Sequence, residues 1–235
     1  MRKYDIVYVL KHGAGSKELR FSLRSIEENL NHGAVWFYGG KPAGIEPDKY
    51  VKYYQHGANK FERVRDTLTA ICKNDEITKK FWLFNDDFYV LEKMQSTEPL
   101  YQGLIHDHAL NVESRHGGRV SGYTKLLREC EEILKGADLP TLDYALHVPL
   151  LVERETMLKA LEEFPGCPMV RNLYGNYAKL GGVFHEDVKT TDARFIIPEG
   201  RDYLSTSDAA LSGPLLEQMR ERFPEPCRYE VDRNG

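Results

Sequence analysis

The sequence predicts an α/β protein: an open mixed sheet flanked by helices on both faces, in one domain over residues 1–235. Three observations carry this. The first half alternates apolar, β-branched and aromatic runs with amphipathic stretches, in the order β-α-β-β-α-β. No linker-like stretch divides the chain. With 235 residues, 41% hydrophobic and 29% charged, it can bury a substantial single core.

The elements follow in order. YDIVYVL (4–10) is a buried strand, rich in Ile, Val and Tyr. After the loop KHGAGS, the stretch 17–30 sets Leu19, Leu23, Ile26 and Leu30 on one helical stripe. AVWFYGG (34–40) is a second strand closed by a glycine turn, and KYVKYYQ (49–55) a third, nearer an edge. Asn59 precedes Glu62 by three residues, the spacing of a capping box. The helix it starts runs to about residue 73, with Phe61, Val64, Leu68 and Ile71 inward. KKFWLF (79–84) is another buried strand.

The second half is less regular. It predicts a helix over 121–136 that stops at Gly136, and an extended stretch from 142 that becomes helical near Glu153. A further helix over 167–182 closes on the pair Gly181–Gly182. ARFIIP (193–198) reads as a short strand, and 211–223 as a last helix with Pro214 in its first turn.

The bulk numbers exclude some functions. A net charge of −4 argues against dominant non-specific nucleic-acid binding. The stretch 113–129 is locally basic through Arg115, Arg119, Lys125 and Arg128, which leaves contact with DNA phosphates as an option beside a plain solvated surface. The four cysteines are scattered without a CxxC pair, as expected for reduced thiols in a cytoplasmic protein. No apolar run approaches the roughly 20 residues of a membrane span. The N-terminus lacks a signal-peptide cleavage pattern.

The chemistry concentrates in FWLFNDDFYVL (81–91), where Asp86 and Asp87 interrupt two apolar runs. In open α/β sheets, ligands bind beyond the carboxyl ends of the strands, where this pair falls. Adjacent carboxylates suit Mg²⁺ or Mn²⁺, which takes one or two of them and completes its shell with water and phosphate oxygens. The alternative is a capped turn built by Asn85 and Asp86. Arg20 and Arg24 lie one helical turn apart, and Arg63 lies near a helix start. Their forks fit phosphate, although for each arginine taken alone a solvated face, with Glu27 and Glu28 as partners, is the stronger reading. His147, just before Pro149, is either a general base on an acceptor hydroxyl or a hydrogen-bonded core histidine. Arg171 and Asn172 open a polar cluster with Tyr174, Asn176 and Tyr177. HDH (106–108) and HED (185–187) are weak as metal sets, and the glycines complete neither a GxGxxG nor a P-loop.

Taken in order, DIVYVL, ELRFSLRSIEENL, the asparagine-led helix, FWLFNDDFYV, HVPLLVERETMLKALEEFP, VRNLYGNYAKLGG and RERFPEPCRYE resemble the Stealth proteins. Those are nucleotide-sugar-dependent sugar-phosphate transferases with a catalytic domain related to the GT-A glycosyltransferase fold. The chain departs from their pattern at Lys11–His12, where Trp and Asp are usual nearby, and at Cys227, where serine is usual. In its short form it is similar to compact phage glycosyltransferases. The resemblance implies a GT-A-like fold and a nucleotide-sugar donor held through Mg or Mn on Asp86 and Asp87. Arg20, Arg24, Asn59, Arg63 and Asn85 would line the donor site. His147, Arg171 and Asp208 would act at the reacting centre. The compact phage-like form and the altered first block favour glycosyl transfer, with a modified base in phage DNA as one acceptor class and the host cytoplasm as its place. Sugar-1-phosphate transfer, or nucleotide-sugar binding without catalysis, are the alternatives.

Overall fold

The computed structural model describes residues 3–13 and 15–231. Its centre is a five-stranded sheet. Strand β1 (Asp5–Leu10) leads through α1 (Lys17–Asn29) to β2 (Val35–Gly39) and β3 (Lys49–Lys52), then through α2 (Lys60–Lys73) to β4 (Lys80–Phe84). These four strands are parallel, in the order β3-β2-β1-β4. After β4 come β5 (Phe88–Val90), β6 (Leu100–Tyr101), α3 (Ile105–Arg115) and α4 (Gly122–Gly136). Strand β7 (Leu150–Glu153) then closes the sheet antiparallel to β4, pairing Leu150 with Leu83. The chain continues through α5 (Arg154–Glu163), α6 (Val170–Tyr177), β8 (Val183–Phe184), β9 (Lys189–Thr190), β10 (Tyr203–Thr206) and α7 (Gly213–Arg222).

Alternation along the strands builds two cores, because successive side chains point to opposite faces. Ile6, Tyr8, Leu10, Val35, Phe37, Trp82 and Phe84 pack on one face with Leu19, Leu23 and Ile26 of α1. Val7, Trp36, Tyr38, Phe81, Leu83, Leu150 and Val152 pack on the other with α2, α4, α5 and α6. Hence β1, β2 and β4 are apolar on both sides, as a covered sheet requires. The solvent-facing β3 carries KYVK instead.

A second, three-stranded sheet orders β5-β10-β9. Ser205 of β10 lies opposite Phe88 of β5 and beside Lys189 of β9. This sheet turns the chain after Asp87 back over α1.

The structure changes some expectations. Residues 193–198 form no strand. Ile197 N–H donates to the Gln218 side chain and Pro198 has no N–H to offer, so the backbone has no ladder; Phe195 and Ile197 instead pack on the α7 cluster. The helix foreseen over 167–182 is only α6. It ends on Lys179, left-handed at φ 49°, with Leu180 N–H closing on Gly175 O, so the glycine pair lies beyond the stop. By contrast α4 stops at Gly136 as foreseen, with the left-handed Asp138, φ 54°, following its C-cap. The stretch 105–115, within the less regular half, is the helix α3. The four cysteines are free; the Cys130 and Cys167 thiols meet at 3.3 Å.

Candidate active site

Strands β1 to β4 all end at one rim of the sheet. Because β7 runs the opposite way, the residues before it reach the same rim, and His147 arrives beside the turn Asn85–Asp86–Asp87. That turn is closed by Phe88 N–H on Asn85 O at 3.3 Å, with the Asn85 side chain exposed at its tip.

The two aspartates sit in different surroundings. Asp87 Oδ2 accepts from Lys189 Nζ and from Ser205 Oγ, both at 2.9 Å. Asp86 has no basic partner among the described residues. Burial, then the neighbouring Asp87 charge, push the Asp86 carboxyl up to about 6, and Glu18 and Asp208 add to the same field.

A divalent cation fits this donor set in a limited sense. Among the described residues no group of three His, Cys, Asp or Glu side chains is placed to hold a metal. A closed protein cage is therefore absent. Two hard carboxylates at a strand end, one of them desolvated without a cationic partner, match the Mg²⁺ pattern in which substrate phosphates and water supply the rest.

Phe88 links this turn to the predicted base. Its ring meets the His147 ring edge-on at 6.3 Å, and Arg171 Cζ lies 5.8 Å from it. Asp187 grips His147: its carboxylate oxygens lie 3.0 and 2.9 Å from Nδ1, and Oδ1 also accepts the His147 N–H at 3.1 Å. Burial works against the Asp187 charge, but these contacts hold its carboxyl below the usual range. Nδ1 carrying the proton leaves Nε2 as the basic nitrogen.

Helix α6 holds the segment that bears His147. Asn176 accepts from Leu142 N–H and donates to Leu142 O; Asn172 accepts from Tyr144 N–H. Arg171 donates to Tyr144 O at 3.0 Å and Val148 O at 2.7 Å. Gly175 permits the close approach, since a Cβ there would sit 2.2 Å from the Tyr144 ring. Burial draws Arg171 down to about 10, opposed by Asp187 and Asp143.

Other predicted residues lie outside this cluster or are committed elsewhere. Arg20 and Arg24 do not offer free forks to a donor: both grip Glu230, at 2.8 Å and 2.7 Å, whose side chain is 1% exposed. Asn59 caps α2, its Oδ1 accepting from Phe61 N–H and Glu62 N–H, while Glu62 accepts from Ala58 N–H. Arg63 donates to Gly57 O at 3.1 Å. Within HDH, His108 Nδ1 turns to the buried Asp143 at 2.5 Å, not to an ion. In the basic stretch, Arg128 pairs with Glu113. Two surface hollows of about 490 and 560 Å³ are lined from α1, α7 and the loops beside them, and include neither Asp86 nor His147.

Sequence reasoning missed Asp187, Lys189, Ser205 and Glu230. Asp187 stood in HED, where metal spacing was the wrong question. The other three act on partners more than 100 residues away, and no local pattern marks them.

No family model matches the sequence, and no curated protein does. The structure is similar to that of the galactosyltransferase LgtC in complex with donor and acceptor sugar analogues. There the identity is 11% over 94% of this chain and 96% of that one, with a TM-score of 0.46. It is also similar to the apo form of the glycosyltransferase GlyE of Streptococcus pneumoniae TIGR4, at 14% identity over 95% of this chain and 61% of that one, with a TM-score of 0.42. These are likenesses in the course of the chain.

Proposed function

We propose that the chain is a metal-dependent glycosyltransferase using a nucleotide-sugar donor. One observation carries the reading: an acidic pair suited to a cation and a carboxylate-oriented histidine meet across Phe88 at one sheet rim. Asp86 and Asp87 would hold Mg²⁺ or Mn²⁺, which when bound offsets the charge growing on the leaving phosphate. His147 Nε2 takes the proton from an acceptor hydroxyl while that oxygen bonds to the anomeric carbon. The bond from that carbon to the phosphate oxygen breaks, and a nucleoside diphosphate leaves. Asp187 keeps the Nδ1 proton in place and stabilises the imidazolium that forms. Arg171 fixes the Tyr144 and Val148 carbonyls, and so positions His147 from behind. Asp208, near Asp86, adds negative charge on the cation side.

Arg171 also favours a second reading. A buried cation beside the base suits attack at phosphorus, which would transfer sugar-1-phosphate, as in the Stealth-like pattern. Identification of the nucleotide product separates the two. Release of UDP or GDP is expected; UMP or CMP would overturn glycosyl transfer. Binding without turnover and without metal would instead mark a non-catalytic module. For the acceptor, exposed Arg115, Arg119 and Lys125 support contact with DNA. Affinity for a duplex should then fall steeply with salt, and a flat response would dismiss that acceptor.

A further inference from the structure

Lys189 is, among the described residues, the single basic side chain that touches the acidic pair. Its Nζ lies 2.9 Å from Asp87 Oδ2 and makes no other hydrogen bond or ion pair there. Three strands build this position. Pairing of β9 with β10 sets Lys189 beside Ser205, and pairing of β10 with β5 sets Ser205 opposite Phe88, the residue after Asp87. Ser205, fully buried, donates to the same oxygen. The ammonium therefore occupies a cation's place on one of the two carboxylates proposed to hold a metal.

The residue type matters. An arginine would fork onto both oxygens and stay. A lysine is a compact point charge on a flexible stem, 30% exposed here, and can leave without moving its strand. Once off Asp87, a free ammonium at this rim would be available to an anionic group brought in with the cation. Lys189 is one ammonium against the two adjacent carboxylates of Asp86 and Asp87, so the turn keeps an unbalanced negative charge even while Lys189 is seated.

We propose that Lys189 is a displaceable counter-ion. In the donor-free protein it neutralises Asp87; when a divalent cation takes that oxygen, the ammonium passes to the donor diphosphate. The idea rests on the nucleotide-sugar reading above and adds a consequence to it. Cation and diphosphate bind weakly alone and strongly together, and each must raise the other's affinity by the same factor.

Calorimetric titration of the full chain tests this with two probes, Mn²⁺ alone and inorganic pyrophosphate at saturating Mn²⁺. In Lys189→Met, Mn²⁺ alone should bind about fivefold tighter, the scale of one partly exposed ion pair, while pyrophosphate should bind at least about fivefold weaker. In Lys189→Arg, which keeps the charge and folds without an unpaired Asp87, Mn²⁺ alone should bind more weakly than in the native protein. A lysine that stays seated and acts only through its field would give the same split in Lys189→Met but equal Mn²⁺ affinity in Lys189→Arg and the native protein, and that result overturns the displacement. Equal Mn²⁺ affinity in all three proteins overturns the proposal and leaves the nucleotide-sugar reading standing. A native protein that binds Mn²⁺ but neither pyrophosphate nor any nucleotide sugar refutes that reading, and the transfer of Lys189 with it.

Discussion

Asp86 and Asp87 are neighbours in the chain with opposite needs. Asp87 is neutralised by Lys189; Asp86 carries the cost of burial beside a like charge, which lifts its carboxyl from the ordinary carboxylate range to about 6. A raised acid holds its proton more tightly in the folded state, so it weakens folding as pH rises from about 4 to 6, and the loss persists above. Asp86→Asn should therefore stabilise the metal-free protein at pH 7 by roughly 2 kcal/mol and have little effect at pH 4. Urea melts at the two pH values check this; equal effects would contradict it. For the base, His147→Ala should lower turnover by about 10²–10⁴-fold, and Asp187→Asn, which keeps the shape but not the charge, by less. The position of the adjacent acids at a strand end was legible in sequence. The orienting acid was not, because a histidine's partner 40 residues away leaves no periodic trace.

At the scale of elements, the strands of the main sheet and the helices α1, α2, α4, α5 and α7 were legible because their apolar periods are long and bounded by caps or turns. Residues 17–30 and 59–73 needed only their own stripes. The strands β5, β9 and β10 have two to four residues each, too short for any period, and exist through pairing with one another. ARFIIP shows the converse: its apolar residues find partners on α7 without a ladder. Asn59 belongs to this scale. The structure gives its side chain to the α2 cap, whereas the family resemblance implies donor contact. Asn59→Ala should cost about 1 kcal/mol of stability, and Asn59→Asp should keep the cap. If the cap is its whole role, donor KM will be unchanged in Asn59→Asp. A rise in KM without loss of stability would return Asn59 to the donor site.

Across the whole molecule, Glu230 ties the end of the chain to α1. Its carboxylate accepts from Arg20, Arg24 and the Cys227 N–H, and Arg24 also donates to Phe223 O. Burial opposes the charge, but the arginines hold the carboxyl down to about 2. A depressed acid contributes stability that is present above its unfolded value near 4.5 and is lost as pH falls through 2. Glu230→Gln leaves two half-buried arginines without a counter-charge and should cost about 3 kcal/mol at pH 7, with the gap to the native protein closing toward pH 2. The arginine pair was visible in sequence as a fork for an anion; that the anion is the chain's own carboxylate, more than 200 residues on, was not. No helix among the described residues is long and apolar enough to cross a membrane. In the proposed function, Asp86 and Asp87 grip a donor diphosphate through a cation. Thermal melting of the native protein and of Asp87→Ala, against a panel of nucleotide sugars with and without Mn²⁺, tests it most directly. One donor should raise the native melting temperature only when Mn²⁺ is present, and Asp87→Ala should abolish the rise. A donor that stabilises both proteins equally, or that needs no metal, would contradict it.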